Sequence, residues 1–378
     1  MNERARVGSP KQEIKIPEAN ALERLNFLFY RFGHITRAST LPHQERSVSR
    51  PLWLRSKRAE LYHQTQGSDT NKRKRIFAEA RERDEIAAQY LMQGVITITL
   101  PGLGEQTARY TMIEPPEGRK NLEQGSKPPI FLIPGVSNDI DCVGALTQEL
   151  PYQGRSVVVV GFPESFLGHT TKGFADAVDA SQDFGPHVNF YKQAITSLMG
   201  DQGDIELWGF STGAPIAAQI LHDPKFQERV TDAVFLSPAS TVNQTSMQLN
   251  RGAIHELGHL VKEFGLLPKY TFSTGVNDNM PPMTDDHKKL RKRIMGTLIK
   301  KVGTVSEYYT DARVKDGGKI TIVSGEKDEI TKSYRATNML SQNPQTTVIS
   351  LPDGHHATPL TQPERVIPIV FKRQRSAS

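Results

Sequence analysis

From about residue 94 onward, short apolar runs alternate with segments of helical periodicity. Val95–Leu100 and Ala108–Ile113 suit an opening strand pair. Ile130–Ile133 follows a Pro-Pro step and stops at Pro134-Gly135, and Val157–Val160 is an unbroken β-branched run. A run with no polar alternation fits a strand covered on both faces. Further strands are predicted at 206–210, 233–236, 319–323 and 347–351, with helices near 140–152, 186–200, 213–223, 331–341 and 362–373. Strands alternating with helices imply an α/β fold with a mostly parallel sheet flanked by helices. The alternation fails once: residues 241–318 separate two strands, and structureless loops of that length are uncommon. The apolar helical runs within it predict a helical cap over the carboxyl edge of the sheet.

The amino-terminal pattern is different. Leu22, Leu25, Leu28, Phe29 and Phe32 recur at helical spacing, residues 63–72 read as a linker, and a charged helix is predicted over 73–92. Residues 1–17 read as poorly ordered. The expected organisation is therefore a basic, mainly helical, partly disordered region at 1–92, a core at 93–240 and 319–378, and a cap at 241–318. Net charge is +6, and residues 1–90 hold 18 Lys and Arg against 11 Asp and Glu. The Lys72-Arg73-Lys74-Arg75 cluster is the densest part. It reads as a solvated helix face, or as a weak contact with an anionic surface or an acidic protein. No recognisable nucleic-acid module accompanies it, so nucleic-acid binding is not expected. Cys142 is the single cysteine, which fits a reducing compartment. No apolar stretch reaches the ~18 residues of a membrane span, and no secretory pattern opens the chain. The expected location is cytoplasmic.

The chemistry concentrates at Gly209-Phe210-Ser211-Thr212-Gly213. A serine hydroxyl is a poor nucleophile unless it is aimed and a base removes its proton. The G-x-S-x-G turn aims it, because small flanking residues tolerate a sharp strand-to-helix turn and close backbone approach. The context agrees: a strand pattern precedes the motif, and the small-residue segment Ala214–Leu221 follows, with Pro215 in its first turn.

These residues, with the strand ending in Pro134-Gly135-Val136, the late acid in Gly325-Glu326-Lys327-Asp328 and the late Gly354-His355-His356, resemble the α/β-hydrolase fold family over about residues 94–373. The order Ser, Asp, His is that family's order. The resemblance implies Ser211 as nucleophile, Asp328 as the acid that fixes the histidine tautomer, and His355 as the base, with His356 a rival beside it. It implies backbone N–H donors for an oxyanion at Val136 and Thr212. The His-Gly usual before the first of these donors is replaced by Pro134-Gly135, and the segment Gly161–Phe166 carries no subfamily signature.

A second motif competes. His255-Glu256-Leu257-Gly258-His259 matches H-E-x-x-H, which on a helix sets two imidazoles one turn apart to grip zinc. No third ligand stands at the extended spacing. The helix 253–264 places Ile254, Leu257, Leu260, Val261 and Phe264 on one face, with both histidines opposite. A cap helix with incidental histidines is the expectation, with neither metal nor cofactor. The chain thus reads as a serine hydrolase of carboxylesterase or lipase type, acting on a small acyl or ester substrate that Phe264–Phe272 could line. Alternatives are an acyltransferase using the same triad, a zinc metallopeptidase through His255-Glu256-x-x-His259, and a non-catalytic binding module.

Overall fold

The computed structural model describes residues 91–115, 127–135, 144–165, 168–264, 284–305 and 307–375. The expected amino-terminal helices and linker, Val136 and most of the Phe264–Phe272 stretch lie outside these residues. Among the described residues eight strands form one sheet: β1 (Leu91–Leu100), β2 (Gly104–Ile113), β3 (Ile130–Ile133), β4 (Val157–Val160), β5 (Ile205–Phe210), β6 (Val230–Leu236), β7 (Lys319–Gly325) and β8 (Thr346–Leu351). Their order is β1-β2-β4-β3-β5-β6-β7-β8. β1 and β2 pair as a hairpin and β2 meets β4 antiparallel. All the remaining pairs are parallel. The charged helix expected to run to residue 92 does not, because Leu91 already opens β1, opposite Ile113.

Seven longer helices among the described residues accompany the sheet: α1 (Gly144–Tyr152), α2 (Lys172–Ala180), α3 (Gly185–Met199), α4 (Gly213–Ile220), α5 (Ser246–Phe264), α6 (Asp285–Val302) and α7 (Pro363–Arg375). Two hydrophobic clusters occupy the two faces of the sheet, and the valine run divides between them. Val158 and Val160 join Phe131, Phe174, Tyr191 and Ile216 on one face. Val157 and Val159 join Ile130, Trp208, Val366 and Phe371 on the other. Period-two alternation inside an all-apolar run thus fills two cores at once.

Two expected elements take another form. The helix expected at 331–341 is a 3₁₀ turn, Ser333–Ala336, followed by one helical turn, Thr337–Leu340. Conversely α2 is a helix beyond those predicted: it is capped by Thr171 Oγ1 accepting from Phe174 N and buries Phe174, Ala175 and Val178. Between β6 and β7 the described residues hold α5, α6 and the short helix Tyr308–Asp311, with non-helical stretches at 237–245 and 312–318. Among the described residues no helix is long and apolar enough to cross a membrane.

Candidate active site

The turn after β5 is built as the motif requires. Ser211 has φ 53°, the left-handed region that costs a non-glycine residue about 1–3 kcal/mol. Neighbouring bonds hold it there: Ser211 N donates to Leu236 O at 2.9 Å, and Ala239 N donates to Ser211 O at 3.1 Å. The two glycines permit close packing. A Cβ on Gly209 would stand 2.6 Å from the Ala214 Cα, and one on Gly213 would stand 2.2 Å from Ile133 O and 2.4 Å from Pro134 O. The second contact brings the end of β3 against the start of α4, beside Ser211. Thr212, fully buried, stands at the amino end of α4 with helical φ −64° and ψ −26°.

Two loops reach Ser211 from the far end of the sheet. β7 and β8 are parallel neighbours, and the loops after them touch through Gly325 and Gly354. A Cβ on Gly325 would lie 2.3 Å from Gly354 O, and Lys327 N donates to Gly354 O at 2.9 Å. That contact sets the acid loop beside the histidine loop. His356 Nδ1 lies 2.9 Å from Asp328 Oδ2, and its Nε2 lies 3.1 Å from Ser211 Oγ. Ser237 Oγ donates to the His356 carbonyl at 3.0 Å, and the imidazole packs on the Phe210 ring. A hydroxyl, an imidazole and a carboxylate linked in this order can pass a proton from oxygen to nitrogen while the carboxylate orients the ring.

Asp328 is wholly buried. Its Oδ1 accepts from Ile330 N and Thr331 N, each at 2.9 Å, and its Oδ2 accepts from Thr331 Oγ1 at 2.7 Å. Burial pushes its pKa up, but the charge and hydrogen bond of His356 and the Thr331 donors outweigh burial and hold the carboxyl below its usual range. Glu326 and Glu329 are engaged elsewhere: Glu326 accepts from Ser350 Oγ, and Glu329 pairs with Lys332.

The expectation that His355 meets the serine is corrected. His355 N donates to Thr358 Oγ1 at 2.7 Å, and the ring turns away from Ser211 to stack on His259 at 3.4 Å between centroids. Its Nδ1 is 3.6 Å from Glu256 Oε2. Adjacent side chains diverge in a turn, so only one of the pair can face Ser211. Spacing after a glycine could not say which.

The H-E-x-x-H segment lies on α5, but its face assignment is also corrected. Ile254 is 64% exposed, whereas Leu249 and Glu256 are buried. Residues 249, 252, 256 and 259 fall within about 80° of one another around the helix axis. That inward stripe carries a leucine, a glycine, a glutamate and a histidine. His255 is exposed, and Glu256 Oε1 accepts from Ala357 N at 2.8 Å. Among the described residues no group of three or more His, Cys, Asp or Glu side chains is arranged to hold a metal ion.

Comparison with known proteins agrees with the architecture. No protein-family model matches the chain. An alpha/beta hydrolase fold protein from Chitinophaga pinensis superposes with TM-score 0.53 at 13% identity, covering 75% of this chain and 98% of that one. E-2-(acetamidomethylene)succinate hydrolase superposes with TM-score 0.50 at 13% identity, covering 74% and 98%. In sequence, gut esterase 1 of Caenorhabditis briggsae is 30% identical over 92 residues, which is 24% of this chain and 16% of the esterase. The chain therefore matches only about a sixth of that relative's length. The fold is that of the α/β hydrolases, with no subfamily identified.

Proposed function

We propose that this α/β-hydrolase-fold chain is a serine hydrolase that cleaves an ester, thioester or amide through an acyl-enzyme, with carboxylesters favoured. The observation that carries the reading is the continuous line Ser211 Oγ, His356 Nε2, His356 Nδ1, Asp328 Oδ2, with links of 3.1 and 2.9 Å. His356 Nε2 takes the Ser211 proton as Oγ adds to the acyl carbonyl carbon. Asp328 holds Nδ1 protonated, so that Nε2 is free to accept, and then stabilises the imidazolium. The N–H of Thr212, at the positive end of α4, serves as one donor to the developing oxyanion, with Val136 N–H proposed as the second. Collapse of the tetrahedral adduct breaks the acyl–heteroatom bond, and the leaving group departs with the proton from His356. Water then repeats the sequence and releases the acid and Ser211. A serine at the elbow, and not a carboxylate, directs the chemistry to acyl transfer.

The acyltransferase reading shares every step but the last, with an alcohol or amine in place of water. The short sequence match to an esterase supports the hydrolytic one. The single cysteine supports a cytoplasmic setting, and the basic residues 1–90 support at most a weak anionic contact. The test is labelling with a fluorophosphonate probe, followed by turnover of p-nitrophenyl esters of graded chain length. Labelling that is lost in Ser211→Ala is expected. A folded wild-type protein that neither labels nor turns over any ester would overturn the proposal.

A further inference from the structure

The insertion helix α5 holds both loops that converge on Ser211. It grips the acid loop through small and amide groups. A Cβ on Gly252 would lie 2.1 Å from Glu329 O, so no larger residue fits, and Gln244 Nε2, just before the helix, donates to Ile330 O at 2.8 Å. It grips the histidine loop through Glu256, whose side chain is 4% exposed. One oxygen of that carboxylate accepts from Ala357 N, the peptide that follows His356, and the other approaches the His355 ring, which His259 of the same helix covers. A buried carboxylate costs several kcal/mol unless it is compensated, so a glutamate here needs a reason that a leucine would not.

We propose that Glu256 is a positioning residue for the proton-transfer histidine: it fixes the 355–357 turn so that His356 points at Ser211, and it sets a second negative charge against the peptide that follows His356. This rests on the catalytic reading of Ser211, His356 and Asp328. The H-E-x-x-H pattern is thereby given a different use, with its glutamate spent on a backbone N–H and its second histidine on a ring stack. Burial pushes the Glu256 carboxyl up, but His355, His356 and the Ala357 N–H outweigh burial and the opposing charge of Asp328, so the group is ionised. Among the described residues His356 meets Asp328 from the loop after β7 and Ser211 and Phe210 from the β5 turn, while Glu256 from α5 acts on it through charge from its place on Ala357 N. His355, with His259 over it, adjoins along the chain. Lys327 and Asp353 form an exposed pair near the same loop, with cancelling charges.

Two substitutions separate the parts of the role. Glu256→Gln keeps an oxygen for Ala357 N and removes the charge. The imidazolium is then less favoured, so the acid limb of the labelling-rate profile moves to lower pH by about half a unit, with a rate loss of about 3–10-fold. Glu256→Ala removes both, and misaligning a proton acceptor by about 1 Å costs on the order of 100-fold. The loss is expected in the maximal labelling rate and not in the probe concentration at half-saturation. The second measurement needs no activity: titration of His356 by NMR in histidine-labelled protein, assigned with His356→Gln. A lower His356 pKa in Glu256→Gln supports the proposal. If wild type fails to label, the catalytic reading falls, while the NMR titration still decides Glu256. An unchanged His356 titration, or folded Gln and Ala variants that label within about twofold of wild type, would overturn it.

Discussion

Asp328→Asn is the sharpest test of the site, because the surroundings dictate how an amide must sit. Two backbone N–H groups, from Ile330 and Thr331, point at Oδ1. Only an oxygen can satisfy them, so the amide oxygen takes that place and the NH2 takes the place of Oδ2. The NH2 then donates towards His356 Nδ1, 2.9 Å away in the wild type. Nδ1 must become the acceptor, which moves the ring proton to Nε2, facing Ser211 Oγ. A protonated Nε2 cannot take the serine proton, so the variant is folded, correctly shaped and wrongly protonated. In the serine-protease template this error costs about 10⁴ in kcat, and a loss of about 10³–10⁴ is expected here with KM little changed. Stability should move far less, since the substitution also removes the burden of a buried charge. The assay is the rate of fluorophosphonate labelling and of ester turnover from pH 5 to 9, with Ser211→Ala as background. A folded Asp328→Asn protein within about tenfold of wild type at pH 7 would refute the reasoning.

Other substitutions discriminate further. His356→Ala should lose about 10³-fold or more in turnover, whereas His355→Ala should lose less than about tenfold; the reverse order, measured with the same ester, would restore the neighbour as base. Gly213→Ala drives a methyl into the backbone oxygens of residues 133 and 134, and a loss of about 1–3 kcal/mol is expected by urea unfolding; an unchanged midpoint would mean that the β3 end yields freely. At the opposite end of the sheet, Arg155 pairs with Glu206 at 2.6 Å with both side chains buried. Arg155→Met strands that carboxylate and should cost about 3–5 kcal/mol while kcat per folded molecule stays the same. Nearby, burial and the charge of Glu206 raise the Asp232 carboxyl to about 6. Because its folded pKa lies above its unfolded one, this group favours folding most at low pH, and its contribution is lost as pH rises through about 6. Asp232→Asn should therefore stabilise the protein at pH 7.5 relative to pH 4.5, and thermal melts showing no such difference would count against the assignment.

The sheet was readable because burial on both faces erases polar residues from a strand, as in Val157–Val160, and because parallel order follows from strands separated by helices. The placement of Ser211 and Asp328 has a related signal: each follows such a strand, ending at 210 and 325, where side chains emerge at the rim. Which histidine joins them has none. His355 and His356 occupy the same turn, and which one faces Ser211 depends on Ala357 N reaching Glu256 and on Ser237 reaching the His356 carbonyl, at sequence separations of 101 and 119 residues. The α5 face failed because it was judged by hydrophobicity. Its inward stripe contacts backbone and polar loops, so a glycine and a glutamate face inward while Ile254 faces water. α2 gives a weak signal because its buried apolar residues are few and its cap is a lone threonine.

These failures share a cause that bears on how the site works. Each member of the serine–histidine–acid line is held by a segment remote from it in sequence: Ser211 by Leu236 and Ala239, His356 by Ser237 and, through Ala357, by Glu256, and Asp328 by a loop that Gln244 and Gly252 brace. The turn after β6 therefore touches Ser211 and His356 together, and the 241–318 segment braces the two loops that carry His356 and Asp328. Strain at Ser211 and burial of two carboxylates are unfavourable when taken singly. They persist because the same contacts that impose them fix three groups within hydrogen-bond range before any substrate arrives, and preorganisation of that kind is what lowers a barrier to acyl transfer. It follows that α5 is not an interchangeable attachment. A protein from which the segment between residue 243 and β7 is removed should lose the alignment of His356, so that turnover disappears even for the smallest esters. Retention of turnover by such a truncated, folded protein would show that the loops hold their geometry unaided.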